Sequence, residues 1–290
     1  MTTAISILAR SNDMHSAPAL GVASLQRAPY TAVMKATTSI LQRIHSGKLI
    51  AALFCGSLLL CGAVACGAKP EPDEDEFMAQ RNRMVETDIQ RRGVSNPAVL
   101  QVMRTVPRHE FVLPQFRRRA YADSPLPIEA GQTISQPFIV ASMTEAVNPQ
   151  PTDIALEIGT GSGYQAAVLS PLVKHVYTIE IIEELARSAE EKLQRLGYDN
   201  VTVRHGDGFL GWPEAAPFDV IVVTAAPEEV PQPLIDQLKP GGRLVIPVGP
   251  TGQTQQLLLL TKDEAGEVHR QLLMPVRFVP MTGGPGAETE

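Results

Sequence analysis

The chain has 290 residues, 44% of them hydrophobic and 19% charged, with a formal net charge of −6. That length accommodates one large α/β domain with an appended segment, and an acidic balance without a basic stripe argues against a nucleic-acid-binding surface. All three cysteines, Cys55, Cys61 and Cys66, lie in one apolar stretch, and the six histidines show no metal-ligand spacing. No disulfide framework, cysteine nucleophile or metal site is therefore expected in the rest of the chain.

In chain order, residues 1–48 read as a disordered N-terminal extension. Residues 49–66 are a continuous uncharged apolar run, preceded by Arg43, His45 and Lys48 and followed by acids between Glu71 and Glu76. Such asymmetry keeps the N-terminal side in the cytoplasm and sends the rest outward. The run is short for a spanning helix and suits a signal peptide or membrane anchor. Ala63-Val64-Ala65-Cys66 resembles a bacterial lipoprotein cleavage box, with Ala where Leu usually leads, which makes Cys66 the lipidation position. A start at Met34 gives this signal a conventional length.

Residues 67–76 form a charged, proline-containing linker that should not pack. A helical block follows. Its first helix spans Phe77–Arg92, with apolar Met84, Val85 and Ile89 and a stop at Gly93. Ser95-Asn96-Pro97 opens a second helix carrying Val99, Leu100, Val102 and Met103. Arg117-Arg118-Arg119 reads as a solvated helix face. From Asp153 onward strands and helices alternate. Ile154–Ile158, Val176–Glu180, Val201–Arg204, Val220–Thr224 and Leu244–Val248 read as buried strands, with helices over Glu183–Leu196 and Pro231–Leu238. This predicts an α/β fold with a doubly wound, mostly parallel sheet. Gln256–Thr261 and Leu272–Val279 extend it with an antiparallel edge, and residues 283–290 read as a disordered tail.

The most informative run is Leu156-Glu157-Ile158-Gly159-Thr160-Gly161-Ser162-Gly163-Tyr164. A short strand feeds into glycines, and a helix starts at Tyr164. Glycines there allow a positive φ and close approach of a ligand to the N–H groups of the helix start. The spacing is G-x-G-x-G, with Glu157 two residues before the first glycine, and not the dinucleotide G-x-G-x-x-G. This pattern resembles S-adenosylmethionine-dependent methyltransferases and fits a ligand without a pyrophosphate. Glu180 ends the second strand, where an acid accepts from ribose hydroxyls. In Gly206-Asp207-Gly208, Asp207 is suited to accept from an adenine amino group or to cap a helix. Thr224-Ala225-Ala226-Pro227 offers a small-residue floor beneath a substrate.

A longer segment carries a sharper resemblance. Asp123-Ser124-Pro125-Leu126-Pro127-Ile128-Glu129-Ala130-Gly131-Gln132-Thr133-Ile134-Ser135-Gln136-Pro137 closely resembles the protein-L-isoaspartate O-methyltransferase family. So do Val106-Pro107-Arg108-His109-Glu110-Phe111-Val112, Lys239–Gly249 and Pro275–Thr282. The resemblance covers residues 80–282 and implies a Rossmann-like class I methyltransferase domain over 77–282. It implies transfer of a methyl group from S-adenosylmethionine to the free carboxylate of L-isoaspartyl or D-aspartyl residues in damaged proteins. The ester then closes to a succinimide. By the same resemblance Ser135 is the catalytic residue, orienting the substrate carboxylate. Glu157, Gly159, Thr160, Gly161, Gly163, Glu180, Asp207, Gly208, Thr133, Gln136 and Gln255 form the cofactor set. The implied form is a monomer without nucleic acid. The family implies a cytoplasmic location, whereas residues 43–66 imply export or lipid anchoring.

Two other readings remain at this stage. A small-molecule methyltransferase shares everything but the Gly131–Pro137 loop and the Pro275–Thr282 segment. A non-catalytic envelope module of the same fold would explain the export signal, and the intact glycine turn with Glu180, Asp207 and Ser135 weighs against it.

Overall fold

The computed structural model describes residues 71–284. The extension, the apolar run 49–66 with Cys66, and residues 285–290 lie outside the described residues. Among the described residues no helix is long and apolar enough to cross a membrane.

Helix α1 (Glu74–Met84) opens this part of the chain. Asp73 caps it, accepting from Glu76 N at 2.9 Å, and Glu74, Asp75 and Glu76 fill the first turn, where the helix dipole favours acids. The expected unpacked linker therefore ends before Glu71. Pro72 is buried and Glu71 pairs with Arg117 at 3.2 Å, so this arginine is not merely a solvated face. Winding continues through a π segment, Val85–Ile89, and a 3₁₀ turn, Gln90–Arg92. Gly93 then stops it at φ 111°, a conformation cheap only for glycine. Helix α2 (Pro97–Thr105) starts from Asn96, whose side chain accepts from Ala98 N and Val99 N.

A two-stranded antiparallel ribbon follows, β1 (Leu126–Pro127) with β2 (Thr133–Ile134). It delivers the chain to α3 (Pro137–Ala146). The alternating part then runs β3 (Ile154–Ile158), α4 (Tyr164–Leu169), β4 (His175–Glu180), α5 (Glu183–Arg195), β5 (Val201–His205), β6 (Phe218–Val223), α6 (Gln232–Asp236), β7 (Leu238–Val248), β8 (Gln255–Lys262) and β9 (Val268–Val276). The sheet order is β5-β4-β3-β6-β7-β8-β9. Strands β3 to β7 run parallel, and β7–β8 and β8–β9 pair antiparallel. The doubly wound sheet with an antiparallel edge is as the residue pattern predicts. The last strand begins and ends earlier than expected, because residues 277–282 leave the sheet edge and cross over the carboxyl ends of the strands.

Both sheet faces are covered, which is why the central strands read as unbroken apolar runs. Ala155, Val176, Val220, Val222 and Val245 face a core shared with α1 to α5. Leu156, Ile158, Ile179, Ile221 and Leu244 face a second core closed by Leu234 of α6. Phe77 of α1 stacks on His109 with ring centroids 3.9 Å apart, fastening the N-terminal helix to the block that carries the ribbon.

Candidate active site

The strand order reverses at β3: the chain lays β4 and β5 on one side, then returns to place β6 on the other. Open α/β sheets bind ligands in the crevice this leaves at the carboxyl ends. A cavity of about 240 Å³ opens there, lined below by Ile158, Gly159, Gly161, Glu180 and Gly208 and above by Val279–Thr282. The upper segment is held by a parallel bridge to the end of β6. Ala226 N donates to Val279 O at 2.8 Å, and Met281 N donates to Ala226 O at 2.9 Å.

Gly159 sits at φ 91°, and a Cβ there would lie 2.6 Å from Thr224 Oγ1. That hydroxyl is fixed, reaching Gly159 O at 2.6 Å and Ile158 O at 3.0 Å. The Glu180 carboxylate accepts from Gly161 N at 2.7 Å and Ile182 N at 3.1 Å. Each oxygen takes one backbone donor and keeps a further lone pair for a ligand hydroxyl.

Between the glycine turn and the Thr133–Ser135 segment lies a narrow crevice of about 40 Å³. Glu157 is fully buried against it. Thr178 Oγ1 donates to Glu157 Oε2 at 2.6 Å, and the Thr160 hydroxyl lies 2.6 Å from that of Thr178. Thr178 spends its proton on Glu157, so Thr160 donates to Thr178. Glu157 Oε1 and Gln165 Oε1 are buried without a partner. Burial pushes the Glu157 carboxyl up to about 8, against the Thr178 hydrogen bond and with help from the nearby Glu180 charge. Once Glu157 ionises, these are two orphaned acceptors in one crevice, costly unless a donor or cation arrives. The α-ammonium end of an amino-acid ligand has that chemistry, so S-adenosylmethionine fits the residues present.

A second, open groove of about 390 Å³ shares Thr133, Thr224 and Val279 with the first cavity. Ser135 lines both this groove and the narrow crevice. Asp123 fixes the loop that carries it, with Oδ1 accepting from Phe138 N at 2.9 Å in the first turn of α3. Its Oδ2 accepts from Gln136 Nε2 and Arg92 Nη1, each at 2.6 Å.

A cavity at the switch point that adjoins an open groove through Thr133, Thr224 and Val279 is the layout of a two-substrate transferase, and comparison with known proteins makes it specific. Residues 79–286 match the family model described as protein-L-isoaspartate(D-aspartate) O-methyltransferase. The chain belongs to the protein-L-isoaspartate(D-aspartate) O-methyltransferase family. It is 51% identical over 236 residues to the protein-L-isoaspartate O-methyltransferase 2 of Syntrophobacter fumaroxidans, covering 78% of this chain and 96% of the relative. It is 57% identical over 199 residues to the protein-L-isoaspartate O-methyltransferase of Gloeobacter violaceus, covering 69% and 97%. Among solved structures, a protein-L-isoaspartate O-methyltransferase superposes with TM-score 0.63 at 31% identity, covering 70% of this chain and 66% of that one. Another, from Plasmodium falciparum and solved with S-adenosyl-L-homocysteine, gives TM-score 0.60 at 26% identity, covering 70% and 98%.

For this methyltransferase the structure sorts the sequence-predicted residues. Thr133, Gly159, Gly161, Glu180 and Gly208 line the switch-point cavity, and Glu157 and Thr160 line the narrow crevice beside it. Four others do not line either space. Gly163, at φ 88°, starts α4, and its missing Cβ makes room for Leu193 of α5 at 3.3 Å. Gln255 is buried and accepts from Phe278 N at 3.0 Å, so it holds the crossing C-terminal segment. Gln136 lines the open groove. Asp207 caps the turn after β5 by accepting from Phe209 N at 2.9 Å, and its other oxygen accepts from Gly284 N at 2.8 Å. The chain is thus tied down through Gly284, two residues into the stretch that composition reads as disordered.

Thr224, Ile181 and Met281 belong to the cavity and Arg92, Phe138 and Arg277 to the groove without having been singled out as site residues. Thr224 carried a weak signal in the small residues that end β6. Arg92 carried none, since it reads as one more charge on a helix. Asp263, Glu267 and His269 bring ligand-type atoms within 4.8 Å of one another at the β8–β9 turn. Asp263 there accepts from Ala265 N and Glu267 N, as a turn lock does.

Proposed function

We propose that Ser135 aligns the substrate carboxylate, that the glycine turn with Glu157, Thr160 and Glu180 holds the cofactor, and that the open groove receives the peptide. The enzyme transfers a methyl group from S-adenosylmethionine to the free carboxylate of L-isoaspartyl and D-aspartyl residues in damaged proteins. The observation that carries this division is the position of Ser135, on a wall common to the groove and the crevice.

When bound, S-adenosylmethionine supplies an electrophilic methyl group on a sulfonium. The acceptor carboxylate, with a pKa of about 4, is ionised at neutral pH and needs no general base. The protein's work is therefore to orient and to exclude water. The Ser135 hydroxyl donates to one carboxylate oxygen and leaves the other free to attack. Asp123 keeps Ser135 in place through Phe138 N and Gln136. Glu180 accepts from ribose hydroxyls, and Glu157 with Gln165 accepts from the ammonium end. Asp207 accepts from the adenine amino group once Gly284 N releases it.

Cations before residues 49–66 and acids after them support passage into or attachment at a membrane, with Cys66 as the lipidation position. Fractionation of the full chain tests this: recovery in the soluble cytoplasmic fraction overturns it.

Methyl transfer from labelled S-adenosylmethionine to a matched peptide pair tests the activity. Base-labile label on the isoaspartyl peptide and none on the aspartyl peptide is the expected result. Cofactor binding with no transfer to either peptide would favour a small-molecule acceptor.

A further inference from the structure

The open groove has one chemical feature that methylation itself does not use. Its charged lining residues are Arg92 and Arg277, and no acid lines it. They come from the end of the first helical block and from the segment after β9, yet both face the same space. Arg92 is held ready: Nη1 donates to Asp123 Oδ2 at 2.6 Å and the guanidinium lies over the Phe138 ring, 3.5 Å from its centroid. Asp123 answers part of that charge, but its oxygens also take Gln136 Nε2 and Phe138 N. The Arg92 side chain is still 45% exposed, with donors left over. Arg277 is exposed on the groove. The chain as a whole carries −6, so a cationic groove is a local departure from an acidic surface.

We propose that Arg92 and Arg277 make the groove selective for isoaspartyl sites flanked by acidic side chains. The inference rests on the assignment of the groove to the acceptor peptide. The flanking groups, and not the reacting carboxylate, are the partners. A guanidinium paired with the nucleophilic oxygens would withdraw the electron density that attacks the methyl carbon, whereas Ser135 offers one neutral donor. Opposite charge also steers encounter, and like charge excludes. A basic flank meets two guanidinium groups at a site framed by apolar Phe138, Met274 and Phe278, and is rejected.

The test uses the full chain, labelled S-adenosylmethionine and three isoaspartyl peptides differing only in whether Glu, Gln or Lys flanks the isoaspartate on both sides. The expected order of kcat/KM is Glu, then Gln, then Lys. The extremes differ by about ten-fold at low salt, as two partly exposed charge pairs allow, and converge when salt shortens the screening length. R277Q and R92Q each narrow the Glu-to-Lys ratio, and R277K retains it. Equal rates on all three peptides, or a ratio that neither R277Q nor R92Q changes, overturns the inference while leaving the methyl-transfer reading intact. Transfer to none of them overturns the acceptor-site reading and this inference with it.

Discussion

The floor of the site and the wall around its proposed acceptor side are assembled from different kinds of material. Glu157, Gly159, Thr160, Gly161 and Glu180 lie within one β-α-β unit, β3-α4-β4, and apart from Glu157 Oε1 the side chains are tied through Thr178 or to adjacent backbone. The acceptor side joins Arg92, the Thr133–Ser135 loop and Met274–Val279, which are far apart in sequence. It is fastened at a few points: Asp123 to α3, Gln255 to Phe278, and the Ala226–Pro280 bridge. A floor encoded locally is rigid and intolerant of added atoms. A wall built from distant segments would, on the proposed assignment, leave room for a varied peptide.

The sharpest way to break that contrast is to add the same methyl group to the glycine turn and to the loop before Thr133, both of which line the cavity. Gly159→Ala puts a Cβ at φ 91°, 2.6 Å from a hydroxyl that has no slack. Gly131→Ala imposes a similar φ of 68° with no atom within 4 Å. Strain alone costs about 1–3 kcal/mol, and a backbone shift beneath the ligand adds to it. Titration of S-adenosylmethionine should show about a hundred-fold loss of affinity for Gly159→Ala and under about ten-fold for Gly131→Ala. Equal losses would mean that the floor is no stiffer than the loop.

Ser135→Ala probes the seam between the two regions. Removing one aligned donor from the acceptor carboxylate should lower kcat by about ten- to a hundred-fold. Cofactor affinity, measured by the same titration, should stay within about two-fold, because the glycine turn and Glu180 do not depend on that hydroxyl. A parallel fall in affinity would move Ser135 to the cofactor side.

Legibility from sequence follows the same division. The G-x-G-x-G turn, Glu180 and the sheet with its antiparallel edge are written in spacing and apolar runs, because each depends on neighbours a few residues away. Ser135 is singled out only through family resemblance, since a serine before Gln-Pro has no signature of its own. Gly163 looks like a ligand residue by its spacing and Gln255 by family resemblance, yet the structure uses them to admit Leu193 and to hold Phe278. The helix start at Glu74 was hidden because its acids read as a solvated linker, although acids in a first turn also stabilise a helix. The pairing of Arg92 with Arg277 across the groove is a tertiary fact with no local trace.

The buried Glu157 supplies a pH test of the floor. Its carboxyl is raised from 4.5 to about 8 by burial, so the cofactor-free protein keeps the proton at neutral pH. A raised acid pKa makes its contribution to stability largest below 4.5, and that contribution is lost as pH rises to about 8. A ligand ammonium beside Glu157 favours the ionised form. Cofactor affinity should therefore climb by up to about ten-fold per pH unit between pH 6 and 8 and level off above. Calorimetry in buffers of different ionisation enthalpy should report a released proton. Glu157→Gln should flatten the slope, and an unchanged slope would place the proton elsewhere.

The smallest effect concerns the chain's own tail, which trespasses on the floor. Gly284 N donates to Asp207 Oδ2 at 2.8 Å, and a Cβ on Gly283 would lie 2.7 Å from Asp207 Oδ1 and 2.8 Å from Ile181 Cδ1. A Cβ on Gly284 would lie 3.1 Å from the Phe209 ring. An amide N–H thus occupies the carboxylate proposed to take the adenine amino group, and only residues without side chains fit there. Exchanging one neutral-donor hydrogen bond for another is nearly balanced, so the competition is weak. Truncation after Thr282 should raise cofactor affinity by about three-fold, and Gly284→Pro, which removes the donor and cannot adopt the φ of 89° that seats the tail there, should do the same. Asp207→Ala should weaken binding by more than truncation strengthens it, since it removes the acceptor from both competitors and loosens the Phe209 turn. A fall in affinity on truncation would make the two glycines part of the binding surface, and the floor would then extend to the end of the described chain.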